Sequence, residues 1–252
     1  MLLLLATLST TGMAACVKPT LTSSWIHLPP YMHKDPSGGL DPVGFDVTIL
    51  NHVSNQLNCP IEWRSQPWNR SMHEIEQGKL DVLAPASYNA KRAKFAWYSA
   101  PFRAERMRIV VLKATKEQWP LTSLEDMLKQ NFRLSFHLGT WYGPEFEKIE
   151  KNPNFQRLLY SNTDNQKRLQ MLLHNRVDGV LGEVLSLLLD AKKMGAEDKI
   201  AVIDYPIHDN EVHFIFSKKT IPEDFIQSFN QVLKTYKGSS DYPTFSYSPS
   251  IK

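Results

Sequence analysis

The sequence contains little cysteine, no block of one charge and no late apolar run of transmembrane length. Two cysteines in 252 residues exclude a disulfide-dense scaffold and a four-cysteine zinc site. Lysine plus arginine number 29 and aspartate plus glutamate 26, a formal net charge of +3 without any continuous basic block, so a nucleic-acid-binding protein is not indicated. The apolar fraction of 42% and the charged fraction of 22% are typical of a globular chain, which excludes wholesale disorder, collagen and coiled coil.

The sequence also lacks the common motifs of catalysis. It has no Gly-x-Ser-x-Gly nucleophile elbow, no P-loop and no dinucleotide-binding glycine pattern. His73 and Glu74 are not followed by the second histidine of a zinc-protease helix, and the eight histidines are scattered. A Ser–His–Asp triad is assembled in space and stays open, but no residue recommends one. We therefore expect no catalytic residue, no metal and no cofactor.

The first fifteen residues are typical of a secretory signal. Leucines at 2–5 form an apolar run that is too short to span a bilayer, and small residues follow it up to position 15. No lysine or arginine precedes the run, so a buried N-terminal segment is the alternative interpretation. We predict a signal peptide over residues 1–15 and a soluble mature protein in the periplasm.

Cys16 directly follows this segment and has two interpretations. The Met-Ala-Ala that precedes it is similar to a lipobox, although methionine replaces the usual leucine, and Cys16 would then be the acylated first residue of a lipoprotein. Alternatively, Cys16 forms a disulfide with Cys59. Each cysteine precedes a predicted strand, at 20–25 and 61–65, and the starts of parallel neighbouring strands lie within disulfide reach. The disulfide is favoured because an exported protein meets an oxidising environment.

Strand and helix patterns alternate along the chain in two series. Apolar residues recur every three or four positions after residue 44, over 68–77 and over 222–236, as in amphipathic helices. The predicted strands include 20–25, 61–65, 80–84, 107–113 and 213–217. The β-α-β-α-β order indicates parallel sheets flanked by helices. Two such series in one chain predict an α/β protein of two lobes with a cleft between them.

Several motifs then follow one another in a set order. They are Gly-Phe-Asp at 44–46, Trp68, Gly-x-x-Asp at 78–81, Ser87 five residues before Arg92, and aromatic-Ser-x-Pro-aromatic at 98–102. This order and spacing resemble the bacterial extracellular solute-binding proteins of family 3, the polar amino-acid receptors of ABC importers. The resemblance continues through Gly139-Thr140, through Asp178 with Glu183, and through residues 214–218, so it covers essentially the whole mature chain.

The resemblance implies a fold, a function and partners. The fold would be the two-lobed type II periplasmic-binding-protein fold, in which each lobe is a mostly parallel sheet flanked by helices and two strands cross at a hinge. One lobe would comprise residues 16–111 and 208–252 and the other 112–207, with crossings near 112–115 and 206–210. The protein, expected to be a monomer, would capture a small polar zwitterion, by default an amino acid, as the lobes close. It would then dock on an ABC permease in the membrane.

Three positions of the first lobe match family residues that contact the ligand. Arg92 matches the arginine that binds the ligand α-carboxylate, and a planar guanidinium suits this role because it offers bidentate donors and stays charged when partly buried. Ser87 matches a hydroxyl that contacts the carboxylate or the amine. Trp68 matches the aromatic that stacks on the ligand, with a core tryptophan as the structural alternative. We predict all three as ligand-binding residues.

The chain departs from the family pattern in the same lobe. Pro85 occupies the place of a second family hydroxyl and offers no donor. Leu28 occupies the place of the opposing aromatic, so Tyr31 or Trp25 is expected to substitute for it. Arg70 lies close to Trp68 in the sequence and is a further candidate for the cleft. These departures leave the ligand side chain open.

The second lobe contributes the other predicted contacts. Gly139 and Thr140 lie between a strand end and a helix start, where free N–H groups and the positive end of the helix suit a carboxylate. Glu183 stands where the family usually has an aspartate that binds the ligand ammonium. Thr140 as a plain helix cap and Glu183 as a plain N-terminal helix charge are the structural alternatives.

Two other functions fit the same scaffold. Some cyclohexadienyl dehydratases resemble this family and use a cleft carboxylate for proton transfer, a role open to Glu183 if its pKa were raised. The sequence shows no obvious second acid or base for such a reaction. A sensory module that feeds a receptor instead of a transporter would have the same sequence features. We expect a binding protein and not an enzyme.

Overall fold

The computed structural model describes residues 16–243, so the predicted signal peptide lies outside the described part. The strands are β1 (Leu21–Trp25), β2 (His33–Lys34), β3 (Pro42–Val43), β4 (Ile61–Ser65), β5 (Val82–Ser87), β6 (Ala96–Tyr98), β7 (Arg103–Leu112), β8 (Leu134–His137), β9 (Leu159–Asn162), β10 (Gly179–Glu183), β11 (Ile200–Val202) and β12 (His208–Ser217). The helices are α1 (Phe45–Gln56), α2 (Trp68–Gln77), α3 (Leu124–Lys129), α4 (Pro144–Ile149), α5 (Pro153–Gln156), α6 (Asn165–Leu173), α7 (Val184–Lys193) and α8 (Glu223–Lys237). Between residues 16 and 243 no helix is both long and apolar enough to cross a bilayer.

The main sheet has two halves joined by two long strands. Its order is β4-β1-β5-β12-β7-β10-β8-β9, with β6 beside β12 and β11 beside β7. In the first lobe, β1 pairs in parallel with β4 and β5, and β12 runs antiparallel to β5. In the second lobe, β8 pairs in parallel with β9 and β10, while β10 and β11 run antiparallel to β7. The two-lobed α/β architecture predicted from the sequence is therefore present.

The two long strands pair with each other only over short stretches, which we call the crossing segments. Residues 103–107 of β7 lie antiparallel to residues 208–212 of β12, and the rest of each strand belongs to one lobe. The expected crossings were near 112–115 and 206–210. The first long strand begins at Arg103 and not at the predicted residue 107, because charged residues over 103–106 hide the strand alternation.

Each lobe has apolar packing on both faces of its half-sheet. In the first lobe, α1 and α8 bury one face, and Leu50 and Phe229 there are fully buried. The opposite face packs against α2 through Ile75. In the second lobe one cluster surrounds Phe132 and another surrounds Leu187. Because each half has its own core, each lobe can move as a unit about the crossing segments.

Cys16 and Cys59 form a disulfide, as predicted. Their Sγ atoms are 1.97 Å apart and their Cα atoms 5.2 Å apart. The strands that follow them, β1 and β4, are parallel neighbours with Leu21 opposite Ile61. The adjacent strand starts therefore bring the two cysteines together, which is the geometry that the sequence reasoning assumed.

Candidate ligand-binding site

A cavity lies between the two lobes beside the crossing segments, and we call it the interlobe cavity. Its lining includes Trp68, Ser87 and Arg92 from the first lobe and Thr140, Arg168 and Glu183 from the second. The structure thus brings together five of the predicted site residues, which lie far apart in the sequence. A site shared by both lobes allows a ligand to favour their closure.

Three other predicted site residues do not line this cavity. Arg70 points to solvent with 67% of its side chain exposed, and its Nε donates a hydrogen bond of 3.0 Å to Glu74. Arg70 is therefore a surface helix residue and not part of the cavity. Tyr31 lies outside the cavity lining and contacts Glu183, one of the lining residues. A Cβ added to Gly139 would lie 3.1 Å from the Asn69 Cβ, so Gly139 marks a close approach of the two lobes.

Arg92 presents a half-buried guanidinium that has little bonding within the protein. It opens a 3-10 turn, Arg92–Lys94, just after β5, and Nη1 donates a long hydrogen bond of 3.4 Å to the Ser87 carbonyl oxygen. No carboxylate among residues 16–243 lies within 4.0 Å of it as an ion-pair partner. Burial lowers the pKa of Arg92, which reflects the cost of desolvating the charge. A desolvated cation without a counter-ion is suited to an anionic ligand group.

Ser87 and Trp68 complete the first-lobe wall. Ser87 ends β5 with only 6% of its surface exposed, and its Oγ donates a hydrogen bond of 3.3 Å to Glu105 Oε2. Trp68 begins α2, is 7% exposed, and packs in the cluster that contains Ile75 and Leu83. Trp68 is therefore both a core residue and a cavity residue, and its stacking on a ligand stays a prediction.

Glu183 is held by bonds from both lobes. It is the N-cap of α7, where Oε2 accepts a hydrogen bond of 2.8 Å from the Ser186 N–H. Its Oε1 accepts a hydrogen bond of 3.2 Å from the Tyr31 hydroxyl of the first lobe. Burial raises the pKa of Glu183, and the nearby charge of Arg103 and these hydrogen bonds oppose that rise. Glu183 thus combines the capping role with a position on the cavity wall.

The turn at Thr140 is stabilised mainly by His137. The Thr140 N–H donates to the His137 carbonyl oxygen at 3.3 Å, and the Thr140 hydroxyl lies 3.2 Å from His137 Nδ1. Helix α4 begins only at Pro144 and is short. The expected contribution of that helix end to carboxylate binding at Thr140 is therefore not supported. Burial, helped by the charge of Arg168, lowers the pKa of His137 to about 4, so the imidazole is neutral.

The family model for bacterial extracellular solute-binding proteins, family 3, matches residues 24–246. The chain belongs to this family. Among curated relatives of this family 3 protein, the probable amino-acid-binding protein YxeM of Bacillus subtilis (strain 168) is 23% identical over 81% of this chain and 73% of its own. The arginine-binding periplasmic protein of Mannheimia haemolytica is 23% identical over 85% of this chain and 84% of its own.

Solved structures show the same fold. The structure of an ancestral arginine-binding protein bound to arginine aligns with this chain at a TM-score of 0.75. The two are 20% identical, and the alignment covers 90% of this chain and 96% of that one. This likeness confirms the predicted type II fold.

The lobes of this family 3 protein touch each other around the interlobe cavity. His27 Nε2 of the first lobe lies 3.1 Å from Asp190 Oδ1 of the second. Lys91 forms an ion pair with Glu147 across the rim. Together with the close approach at Gly139, these contacts define a closed arrangement of the lobes.

Glu105 is a cavity residue that the sequence analysis missed. It lies on β7 with 6% of its surface exposed and lines the cavity next to Met107. Burial raises the pKa of the Glu105 carboxyl to about 7, although the charge of Arg103 opposes the shift. A signal was available, because Glu105 shares the strand face of the buried Met107 and Ile109 at a spacing of two residues. Starting the strand at residue 107 removed it from that pattern.

The family 3 protein shows no metal site in its described part. Between residues 16 and 243, no group of three or more histidine, cysteine, aspartate or glutamate side chains is arranged to hold a metal ion. The titratable groups of the cavity lining include instead two guanidinium groups, two carboxyl groups and two imidazoles, of which that of His137 is neutral. This chemistry suits a small charged organic ligand.

Proposed function

We propose that this family 3 protein binds a zwitterionic α-amino acid in the interlobe cavity. Arg92 binds the α-carboxylate of the ligand, and Glu183 accepts a hydrogen bond from its ammonium group. The observation that carries this proposal is the desolvated Arg92 guanidinium, which lacks a carboxylate partner among residues 16–243. Ser87 and Trp68 line the same wall and would contact the ligand beside Arg92.

Closure of the lobes would convert ligand binding into a change of conformation. A ligand that touches both lobes makes more contacts in the closed form, so it shifts the equilibrium towards that form by the difference. Micromolar affinity corresponds to about −8 kcal/mol, and charge-assisted hydrogen bonds at both ends of a zwitterion would contribute to it. The closed periplasmic protein, acting as a monomer, would then dock on an ABC permease. The curated relatives, named as amino-acid-binding and arginine-binding proteins, support this role.

Calorimetry on Arg92 variants tests the proposal. A thermal-shift screen of the amino acids first identifies one that binds, because a ligand that binds only the folded state raises the melting temperature. Arg92→Ala is then expected to abolish binding of that amino acid, and Arg92→Lys to lose most of it, since lysine cannot form the bidentate pair.

Lys94→Ala is the matched control for this experiment. Lys94 ends the same 3-10 turn but is exposed, so its removal should leave the affinity unchanged. Unchanged affinity in Arg92→Ala, or an equal loss in Lys94→Ala, would remove Arg92 from the site. A screen in which no α-amino acid binds would reject the proposed ligand class.

Glu105 favours a second candidate, a proton-transfer enzyme of the cyclohexadienyl-dehydratase kind. A buried carboxyl with a pKa of about 7 can exchange protons near neutral pH, and it supplies the second acid that the sequence analysis did not find. Incubation with prephenate or arogenate, followed by absorbance, tests this function. Product formation that disappears in Glu105→Gln would establish the enzyme; no product formation leaves the binding role.

A further inference from the structure

Arg168 is a second arginine on the wall of the interlobe cavity, and the proposed contacts to the ligand do not use it. It lies on α6 of the second lobe, and only 1% of its surface is exposed. Burial lowers its pKa, as it does for Arg92. Lys and Arg are almost never fully buried unless their charge is paired, so the partners of Arg168 decide what it does.

The direct hydrogen bonds of Arg168 go to neutral acceptors. Nη1 donates to the Leu181 carbonyl oxygen at 2.6 Å, and Nη2 donates to Asn165 Oδ1. Its Nε has no hydrogen-bond partner in the described chain. The Tyr142 hydroxyl is a further hydrogen-bond neighbour of the Arg168 side chain. Because a guanidinium carries five N–H donors, Nε and at least one further N–H remain for another acceptor.

Carboxylates are kept at a distance from Arg168. None of those in residues 16–243 forms an ion pair with it. The charges of Asp190 and Asp164 act on Arg168 from beyond ion-pair distance, and the hydrogen-bonded connection to Asp190 runs through Asn165, whose Nδ2 donates to Asp190 Oδ2 at 3.2 Å. The hydrogen bonds of Asp190 to His27 and Gln166 engage it elsewhere. The charge of Arg168 therefore lacks a direct counter-ion, as that of Arg92 does.

The cavity consequently has an excess of positive charge. Arg92 and Arg168 contribute one cation from each lobe. Burial raises the pKa of both cavity carboxyls, to about 7 for Glu105, and for Glu183 the hydrogen bonds from an N–H and a hydroxyl oppose the rise without cancelling it, so the two carboxylates offset the guanidinium charges only in part. His137 is neutral. A ligand with one net negative charge would balance these groups.

We propose that the ligand is an α-amino acid with a second carboxylate on its side chain, and that Arg168 binds this side-chain carboxylate. The inference rests on the proposed function, in which Arg92 binds the α-carboxylate. Because the two arginines belong to different lobes, a dicarboxylate would connect the lobes through both of its anionic ends. Gly182 lies on the cavity wall beside Arg168. A Cβ added to Gly182 would lie 3.4 Å from Arg168 Nη2, so the absence of a side chain at this position leaves space next to the guanidinium.

Calorimetry with matched pairs of amino acids tests the inference. Glutamate with glutamine, and aspartate with asparagine, differ in side-chain charge at nearly constant shape, and arginine supplies the opposite charge. The wild-type protein should bind one acidic amino acid at least ~30-fold tighter than its amide. Arg168→Met should remove this preference by weakening the acidic ligand and leaving the amide within about threefold. Arg168→Lys should restore part of the preference because it restores the charge.

The outcomes separate this inference from the proposed function. If the wild-type protein binds glutamine or arginine as tightly as glutamate and aspartate, the acidic ligand class is wrong and the proposed function stands. If no α-amino acid binds, the proposed function fails as well. If a folded Arg168→Met, checked by circular dichroism, keeps the preference for the acid, Arg168 is not its source. Should Arg168→Met fail to fold, the wild-type comparison and Arg168→Lys still decide the question.

Discussion

Arg92 and Arg103 lie close together in the chain but in opposite environments. Arg103 forms two hydrogen bonds with Asp46, of 2.7 and 2.9 Å, and its guanidinium carbon lies 3.6 Å from the centre of the Tyr31 ring. Arg92 has one long hydrogen bond to a carbonyl oxygen. The difference teaches that a desolvated arginine paired within the chain stabilises the fold, whereas an unpaired one is available to a ligand.

The pairing of Arg103 also explains part of the family motif. Asp46 belongs to the Gly-Phe-Asp at 44–46 and lies in the first turn of α1 with 1% exposure. Its bidentate pair with Arg103 connects the start of α1 to the first crossing segment. Asp46 thus has a structural role, because it connects α1 to β7 within the protein.

The largest expected effect is a difference in the free energy of unfolding between two variants, Arg103→Met and Arg92→Met. Arg103→Met leaves Asp46 buried without its partner, which should lower the free energy of unfolding by about 3–5 kcal/mol. Arg92→Met removes an unpaired cation and should leave the stability of the unliganded protein nearly unchanged. Urea unfolding of both variants without ligand measures the contrast. Equal losses would show that pairing does not separate the roles of the two arginines.

The sequence predicted most elements of this fold because their patterns are local. Helix α2 has the predicted bounds Trp68–Gln77, and the predicted spacing of α1 is buried at Val47, Leu50 and Val53. Charged residues inside elements were harder to place. Whether Glu105 faces a cavity or solvent depends on the strand to which it belongs. The predicted strand began at residue 107 and therefore did not include Glu105.

Arg168 shows the same limit on a helix. It shares the buried face of α6 with Asn165, Leu169 and Leu172, at the spacing expected of one helix face. The two polar residues Asn165 and Arg168 on an otherwise apolar helix face could have indicated a buried functional group. Whether Arg168 is paired within the protein depends on which carboxylates approach it from other elements, and tertiary packing alone decides that. The motif-matched residues were easier, because the family pattern supplied their roles.

The buried carboxyl of Glu105 extends the comparison of Arg92 and Arg103 to an acidic group. Burial raises the pKa of this carboxyl from its ordinary value of 4.5 to about 7, so the folded state binds a proton that the unfolded state releases. The associated stability is present below pH 4.5 and is lost as the pH rises through about 7. Urea unfolding should show this decline, about 3 kcal/mol, in the wild-type protein and a flatter profile in Glu105→Gln. An identical decline in the variant would assign it to other groups.

Tyr31→Phe should have a smaller effect, confined to closure. The change keeps the ring beside Arg103 and removes the hydroxyl that donates to Glu183 of the second lobe. Because only a contact of the closed form is lost, ligand affinity should fall about 3- to 10-fold while the stability of the first lobe is kept. Calorimetry and thermal unfolding measure the two quantities. A drop in stability comparable to that of Arg103→Met would mean that the hydroxyl supports the Arg103 pair instead.

Lys91→Met should have the smallest effect, although Lys91 also bridges the lobes. Its side chain is 76% exposed, and its ion pair with Glu147 lies at the rim of the cavity. Solvent and salt screen such a pair, so the affinity should change by less than about threefold and less still at high ionic strength. Calorimetry at low and high salt checks both points, with Tyr31→Phe as the buried counterpart. If Lys91→Met weakened binding more than Tyr31→Phe, exposed contacts and not buried ones would control closure.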